Sequence, residues 1–183
     1  MKNPRASAAV AVLLGLVLSG CQTPAGSLEP GPIPSVAIPS SAALSAIIQS
    51  AVEDRNGAVL DTPPAPRLPE GQTTATYRTK RARDLPVVER SKARLKSAGF
   101  WYTSFSTTVT VESVEGTGSM AIVHFKEKTE QYLASTANGP SNVPSGYSLP
   151  ETATFLPSAD GWQLESIEPS EQGGGLPMSI VKG

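Results

Sequence analysis

One thiol and one imidazole are the rarest reactive groups in this chain, Cys21 and His124. His124 falls in a stretch of alternating residues, and as a general base it would need a carboxylate to orient it; Glu112 or Glu127 could do so. The ordinary reading is a half-buried strand histidine bonded to a neighbour. A metal site would need ligands that the sequence does not offer: there is no second histidine, no second thiol and no His-Glu-x-x-His spacing. Glu112 and Glu115 flank a turn, and Glu127 and Glu130 fall on opposite faces of a regular strand, so both pairs read as solvated charge. No Gly-x-Ser-x-Gly elbow occurs. Gly173 to Gly175 has neither a strand before it nor a helix after it, so it is no phosphate cradle. No metal and no cofactor is expected, and no catalytic residue is assigned.

Cys21 has a more specific context. Lys2 and Arg5 precede an apolar run from Ala6 to Leu18, and Leu18-Ser19-Gly20-Cys21 follows. This is a charged n-region, an h-region of secretory length and a small-residue processing site. The run is too short to span a bilayer, which takes about 18 to 25 apolar residues. The four residues Leu18 to Cys21 resemble the lipobox of bacterial lipoproteins at every position. The resemblance implies cleavage between Gly20 and Cys21, acylation of the Cys21 sulfur by a palmitate-type chain, and a lipid-anchored protein on the extracytoplasmic face of the cell membrane. With one cysteine, no disulfide can form within the chain. Gln22, not aspartate, follows the cysteine, so retention at an inner membrane is not expected.

Charge narrows the partners. The 16 acids outnumber the 15 bases, and the leader removes Lys2 and Arg5 but no acid, so the mature chain is mildly acidic and gives no case for nucleic acid. The exception is local: Arg78, Lys80, Arg81, Arg83, Arg90, Lys92, Arg94 and Lys96 against Asp84 and Glu89. Such a run could face anionic lipid or a cell-wall polymer; a solvated helix face is the ordinary reading. Aromatic residues are not interleaved with it, unlike in single-strand binders.

These groups need a scaffold. Gln22 to Pro39 holds Pro24, Pro30, Pro32, Pro34 and Pro39, which deny a helix its donors and favour an extended tether over 21–39. Ser40 or Ser41 caps a helix over Ala42 to Glu53, with Leu44, Ile47, Ile48, Ala51 and Val52 on one face and Asn56-Gly57 as its stop. Asp61 to Gln72 is a second proline cluster, either a loop or a linker; if a linker, the first helix need not belong to the core. Pro86 argues against one long helix, so a fresh helix is expected from Asp84 to about Ala98, stopped at Gly99.

From Phe100 the period becomes two. Trp101 to Glu112 reads as a strand, Glu115 to Gly118 as a hairpin turn, and Ser119 to Leu133 as a central strand apolar on both faces near its middle. Its polar stretch Lys126 to Gln131 is expected to leave the core. Asn138 to Ser148 reads as loop, Thr152 to Leu156 and Trp162 to Ile167 as strands around Asp160-Gly161, and Glu168 to Gly183 as a frayed tail. Strand aromatics, among them Trp101, Phe125 and Trp162, could line a pocket with His124; core packing is the ordinary explanation.

The order of elements, with Asp160-Gly161-Trp162-Gln163-Leu164 closing it, resembles the NTF2-like and cystatin-like α+β folds. It is also similar to small extracytoplasmic domains that precede amidase domains in secreted bacterial proteins. The resemblance implies two N-terminal helices packed on a curved four-stranded antiparallel sheet; the chain itself reads as a single domain over 40–170 with a flexible tail over 171–183. Such folds host many functions. The expected role is a non-enzymatic binding or assembly module at the cell envelope, meeting an envelope protein or cell-wall polymer. The alternative is a small-molecule enzyme or carrier whose pocket includes His124.

Overall fold

The computed structural model describes residues 37–170 and 175–181. The leader, the lipobox with Cys21, and the tether up to residue 36 lie outside the described residues. Ala37 is held to the domain, since the Trp162 indole donates to its carbonyl at 3.0 Å.

Helix α1 (Ser41–Gly57) begins behind Ser40, whose hydroxyl accepts from the Ala43 amide. A side-chain oxygen at that position satisfies one of the free amides of the first turn. Leu44, Ile48, Ala51 and Val52 are all buried, and they form the core with Ala121, Val123, Phe125, Ala153, Phe155, Trp162 and Leu164. The first helix therefore belongs to the core. Asn56 and Gly57 do not stop it; both lie in its last turn and are buried. What Gly57 supplies is space: a Cβ there would stand 3.0 Å from Pro64 Cγ.

Residues 61–72 are a loop of the domain, not a linker. The Asp54 carboxylate accepts from the amides of Arg67 at 2.8 Å and Leu68 at 3.0 Å. A short 3-10 turn (Glu70–Gln72) then leads into helix α2 (Ala75–Ser97), capped by Thr74. α2 runs unbroken through Pro86, against the expected fresh start at Asp84. A mid-helix proline removes the donor to the carbonyl four residues back. Here that residue is Ala82, which is exposed, so water can take the bond. Asp84 and Val88 are buried on either side and hold the helix in place. Gly99 follows with φ at 85°, the left-handed turn that glycine adopts freely.

The sheet is antiparallel and runs β1-β2-β4-β5, with β1 at Phe100–Thr117, β2 at Met120–Ser135, β4 at Ser145–Ser158 and β5 at Gly161–Pro169; the two-residue β3 (Gly139–Pro140) pairs with the end of β2. The architecture is α+β, two helices with an antiparallel sheet. β4 starts well before the expected Thr152 and takes in part of the supposed loop. Register shifts at Tyr102/Ser104 and Val111/Ser113 put bulges into β1, which bend and twist a long strand. Each sheet edge is capped at one point or more. Gln49 of α1 takes the Val109 amide and the Thr107 carbonyl of β1, and Thr73 bridges to Leu164 of β5. Unpaired edges would invite association with other strands.

β2 alternates strictly over its first twelve residues. Ala121, Val123, Phe125, Glu127, Thr129 and Gln131 are buried, while Met120, Ile122, His124, Lys126, Lys128 and Glu130 are exposed or half-buried. It is central in strand order but is buried on one face, not two. Its polar half does not leave the core, contrary to expectation: Glu127, Thr129 and Gln131 stay inside, while Lys126, Lys128 and Glu130 point away. The tail is not frayed throughout: Met178 and Val181 pack on Ala58, Val59 and Val88, and Ser179 is buried.

Candidate functional site

The apolar stripe of α1 advances by three and four through Ile48 and Val52, and the next positions in it are Arg55 and Asn56. The last turn of the helix thus points two polar side chains at the inner face of the sheet. The last turn suits Arg55, because the free carbonyls there attract a cation. On the sheet, Phe125 stands opposite Glu151 and Glu127 opposite Leu149, so the two glutamates are diagonal neighbours on one face. Both are fully buried, and so is Asn56.

These groups meet. Arg55 Nη1 and Nη2 donate to the two carboxylate oxygens of Glu151 at 2.7 and 3.0 Å, a bidentate arrangement. Nη2 also pairs with Glu127 Oε2. Glu127 Oε1 accepts from Asn56 Nδ2 at 2.7 Å, Thr129 Oγ1 at 2.6 Å and the Tyr147 hydroxyl at 2.9 Å. Thr129 gives its one hydroxyl proton to Glu127, so in the 2.7 Å contact between Thr107 and Thr129 the donor must be Thr107. The network joins α1 to β1, β2 and β4.

Burial costs each charge its hydration, and the cluster settles that cost unevenly. Burial alone would raise the Glu127 carboxyl, but Arg55 and the donated hydrogen bonds override it and hold the group below its ordinary value. Burial raises Glu151, Glu127's charge adds to it, and Arg55 does not fully offset them, so this carboxyl lies above its ordinary value. Burial opposes the Arg55 charge, yet the two carboxylates win and its value rises. Burial, with Glu127 beside it, also pushes the Tyr147 phenol up. One guanidinium thus faces a carboxylate pair that resists full ionisation.

A pH signature follows. Glu151 is raised on folding, so its contribution to stability is complete below the ordinary glutamate value of about 4.3 and is lost as pH rises through its folded value. Glu127 is lowered, so its contribution is present above the ordinary value and is lost as pH falls through its folded one. In Glu151→Gln the decline in stability on the neutral side of the ordinary value should flatten, while the loss on the acid side should persist. Urea midpoints from about pH 3 to about pH 8 measure both limbs; parallel curves for the two proteins would contradict the assignment.

Glu127 was a candidate partner for His124, but the two lie on opposite faces of β2. His124 is half-buried on the outer face, where Nδ1 lies 3.2 Å from Thr152 Oγ1. Phe125 and Trp162 meet in the core. Trp101 lines a separate pocket of about 220 Å³ with Val59, Lys96 and Tyr102. The structure does not gather His124, Trp101, Phe125 and Trp162 into one pocket. Glu112 is exposed. Among the described residues no three His, Cys, Asp or Glu side chains group as a metal site requires. Much of the basic run is engaged: Arg78 and Arg81 donate to backbone carbonyls, and Lys80, Arg83, Lys92 and Lys96 pair with carboxylates.

A cleft of about 460 Å³ lies between the end of α1, the proline loop and α2. Pro63, Pro64, Pro66 and Leu68 form one wall, and Tyr77 and Leu85 stand on another.

No protein-family model matches this chain, and no curated protein matches it. Solved structures give distant similarities. The intermembrane-space region of the chloroplast protein ARC6 is 13% identical with a TM-score of 0.40, over 73% of this chain and 98% of that one. A protein from Kribbella flavida is 18% identical with a TM-score of 0.31, over 46% of this chain and 57% of that one.

Proposed function

We propose that this chain is a bacterial lipoprotein, anchored through lipid on Cys21 to the extracytoplasmic face of the cell membrane. Its α+β domain, of NTF2-like or cystatin-like type, is a non-enzymatic binding or assembly module for an envelope protein or cell-wall polymer. The lipobox residues Leu18 to Cys21 support the anchor. The long bulged hairpin and the two helices support the fold type.

One observation carries the choice of binding over catalysis. The carboxylates at the centre of the domain spend their acceptors on Arg55, Asn56, Thr129 and Tyr147, so neither faces a reacting atom as a general base must. The cleft beside the proline loop instead offers apolar surface at the outside of the fold, which suits recognition. His124 on the outer sheet face gives nothing to favour an enzyme built around it.

The anchor is tested by Cys21→Ser in cells fed an alkyne-tagged palmitate. The native chain should take up the tag, lose its leader and sediment with membranes. The variant should lose the tag, keep residues 1–20 and leave the lipid-modified fraction. A variant that is trimmed normally and still sediments with membranes would sink the anchor.

A further inference from the structure

β1 is an edge strand of the sheet and runs for 18 residues, where strands usually run to about 3 to 10. Long edges are commonly protected by lysine, by proline or by a cover. β1 contains no lysine, arginine or proline, and its cover is local. The Gln49 carboxamide donates to the Thr107 carbonyl at 3.0 Å and accepts from the Val109 amide at 2.9 Å. Towards the start of the strand, the Asp61 amide donates to the Tyr102 carbonyl at 3.1 Å.

Gln49 fixes which groups face outwards. In an antiparallel pair, residues that turn N–H and C=O to the neighbouring strand alternate with residues that turn them away. Thr107 and Val109 turn theirs away from β2, and Val111 shares their register. The bulge between Val111 and Ser113 shifts the phase by one residue, so Val114 comes next. The side chains of Val109, Val111 and Val114 pack on the core, which leaves their backbone along the rim. Among the described residues no hydrogen bond reaches the outward groups of Val111 and Val114. The carboxamide of Gln49 thus stands where the peptide group of an added strand would begin.

Charge selects the occupant. Glu112 and Glu115 are exposed on this stretch, and Lys126, opposite Thr110 on β2, stands behind it. A second copy pairing through β1 would bring the two acids of each chain together without a base. A strand carrying lysine or arginine would meet them with opposite charge.

We propose that the outer edge of β1 at Val111 to Glu115 binds an extended, basic segment of another protein by strand addition. The backbone groups of Val111 and Val114 supply affinity, and Glu112 and Glu115 select cationic side chains. This gives the envelope partner a place and a chemistry, and it rests on the binding-module reading. Its failure would leave that reading with the cleft beside the proline loop, and loss of the anchor would leave the edge as it is.

The probe is an end-blocked peptide alternating threonine and lysine, as long as the open edge, added at low salt to the full chain labelled with ¹⁵N. A matching peptide carries glutamate in place of lysine. The lysine peptide should give saturable shifts and slow hydrogen exchange at the Val111 and Val114 amides. Thr110, whose amide faces β2 by the same alternation, should keep its exchange rate. Val111→Pro removes an outward donor and leaves the β2 ladder intact. It should weaken binding about tenfold, the worth of one hydrogen bond. Glu112→Lys with Glu115→Lys changes only exposed side chains and should reverse the preference between the two peptides, whether or not the proline variant folds. No saturable shift, or protection gained at Thr110 and not at Val111, would overturn the edge as a site. Equal binding of the glutamate peptide would overturn the basic partner. A chain that sediments as a dimer until Val111→Pro separates it would show that a second copy fills the edge, and would overturn the occupant.

Discussion

Arg55→Met should destabilise the domain by about 3 to 5 kcal/mol, the cost of leaving buried charges without their counterion. Total stabilities of small domains run to about 5 to 15 kcal/mol, so one such change removes a large part of the whole. The side chain is 12% exposed while both carboxylates are fully buried, so little water reaches the glutamates when the guanidinium leaves. Each would then take up a proton, and the loss should shrink as pH falls through the carboxylate range. A second variant separates lost charge balance from lost packing. Arg55→Met with Glu127→Gln and Glu151→Gln removes all three charges, yet still offers Asn56, Thr129 and Tyr147 an acceptor at position 127. It should recover most of the stability lost by Arg55→Met alone. Equilibrium urea unfolding of the three proteins decides the matter. A single variant costing less than about 1 kcal/mol would show that the cluster behaves as a surface ion pair does.

The cluster also marks where the sequence could be read and where it could not. Period two gave the long hairpin and the last strand, because β-branched and aromatic residues alternate there with polar ones. The stripe from Leu44 to Val52 gave the first helix. What failed was the rule that charge and amide mean surface. Lys126 to Gln131 is polar throughout, yet Glu127 and Thr129 are fully buried, because partners arrive from α1 and β4, which are distant in sequence. A buried charge is legible only with its counterion, and the counterion lies 72 residues away. Some signal was present. Arg55 and Asn56 continue the α1 stripe at three and four, where a stop signal had been expected. Glu127, Thr129 and Gln131 keep the phase of Val123 and Phe125, so alternation placed them inside although their chemistry argued against it. Tyr147 and Glu151 gave no such signal, because Gly146 and Pro150 made their stretch resemble a loop. The long α2 was missed for the converse reason: a proline in a helix is costly unless the orphaned carbonyl can reach water, and exposure at Ala82 was not readable from its neighbours.

Whether α1 belongs to the core was left open by the proline cluster after it, and Ile48→Ala tests the answer most directly. Ile48 is fully buried at the middle of α1 and packs in one cluster with Phe125, Phe155 and Leu164. Deleting its outer carbons forfeits the transfer free energy of those groups and leaves a cavity that the sheet can close only in part. For buried aliphatic residues the combined cost is about 2 to 5 kcal/mol. The upper part of that range is expected here, since the strands carry two phenylalanines that cannot follow a shrinking helix without breaking their ladder. α1 also positions Arg55 two turns further on, so any tilt of the helix strains the bidentate pair with Glu151. Loss at Ile48 and loss at Arg55 should therefore not add, and a double-mutant cycle should give a coupling of about 0.5 kcal/mol or more. Additive losses would mean that the helix is rigid enough to keep its polar end seated while its apolar middle loosens. A cost near zero for Ile48→Ala would mean that α1 is peripheral, and the burial of Leu44, Ile48 and Val52 would then contribute nothing to holding the fold.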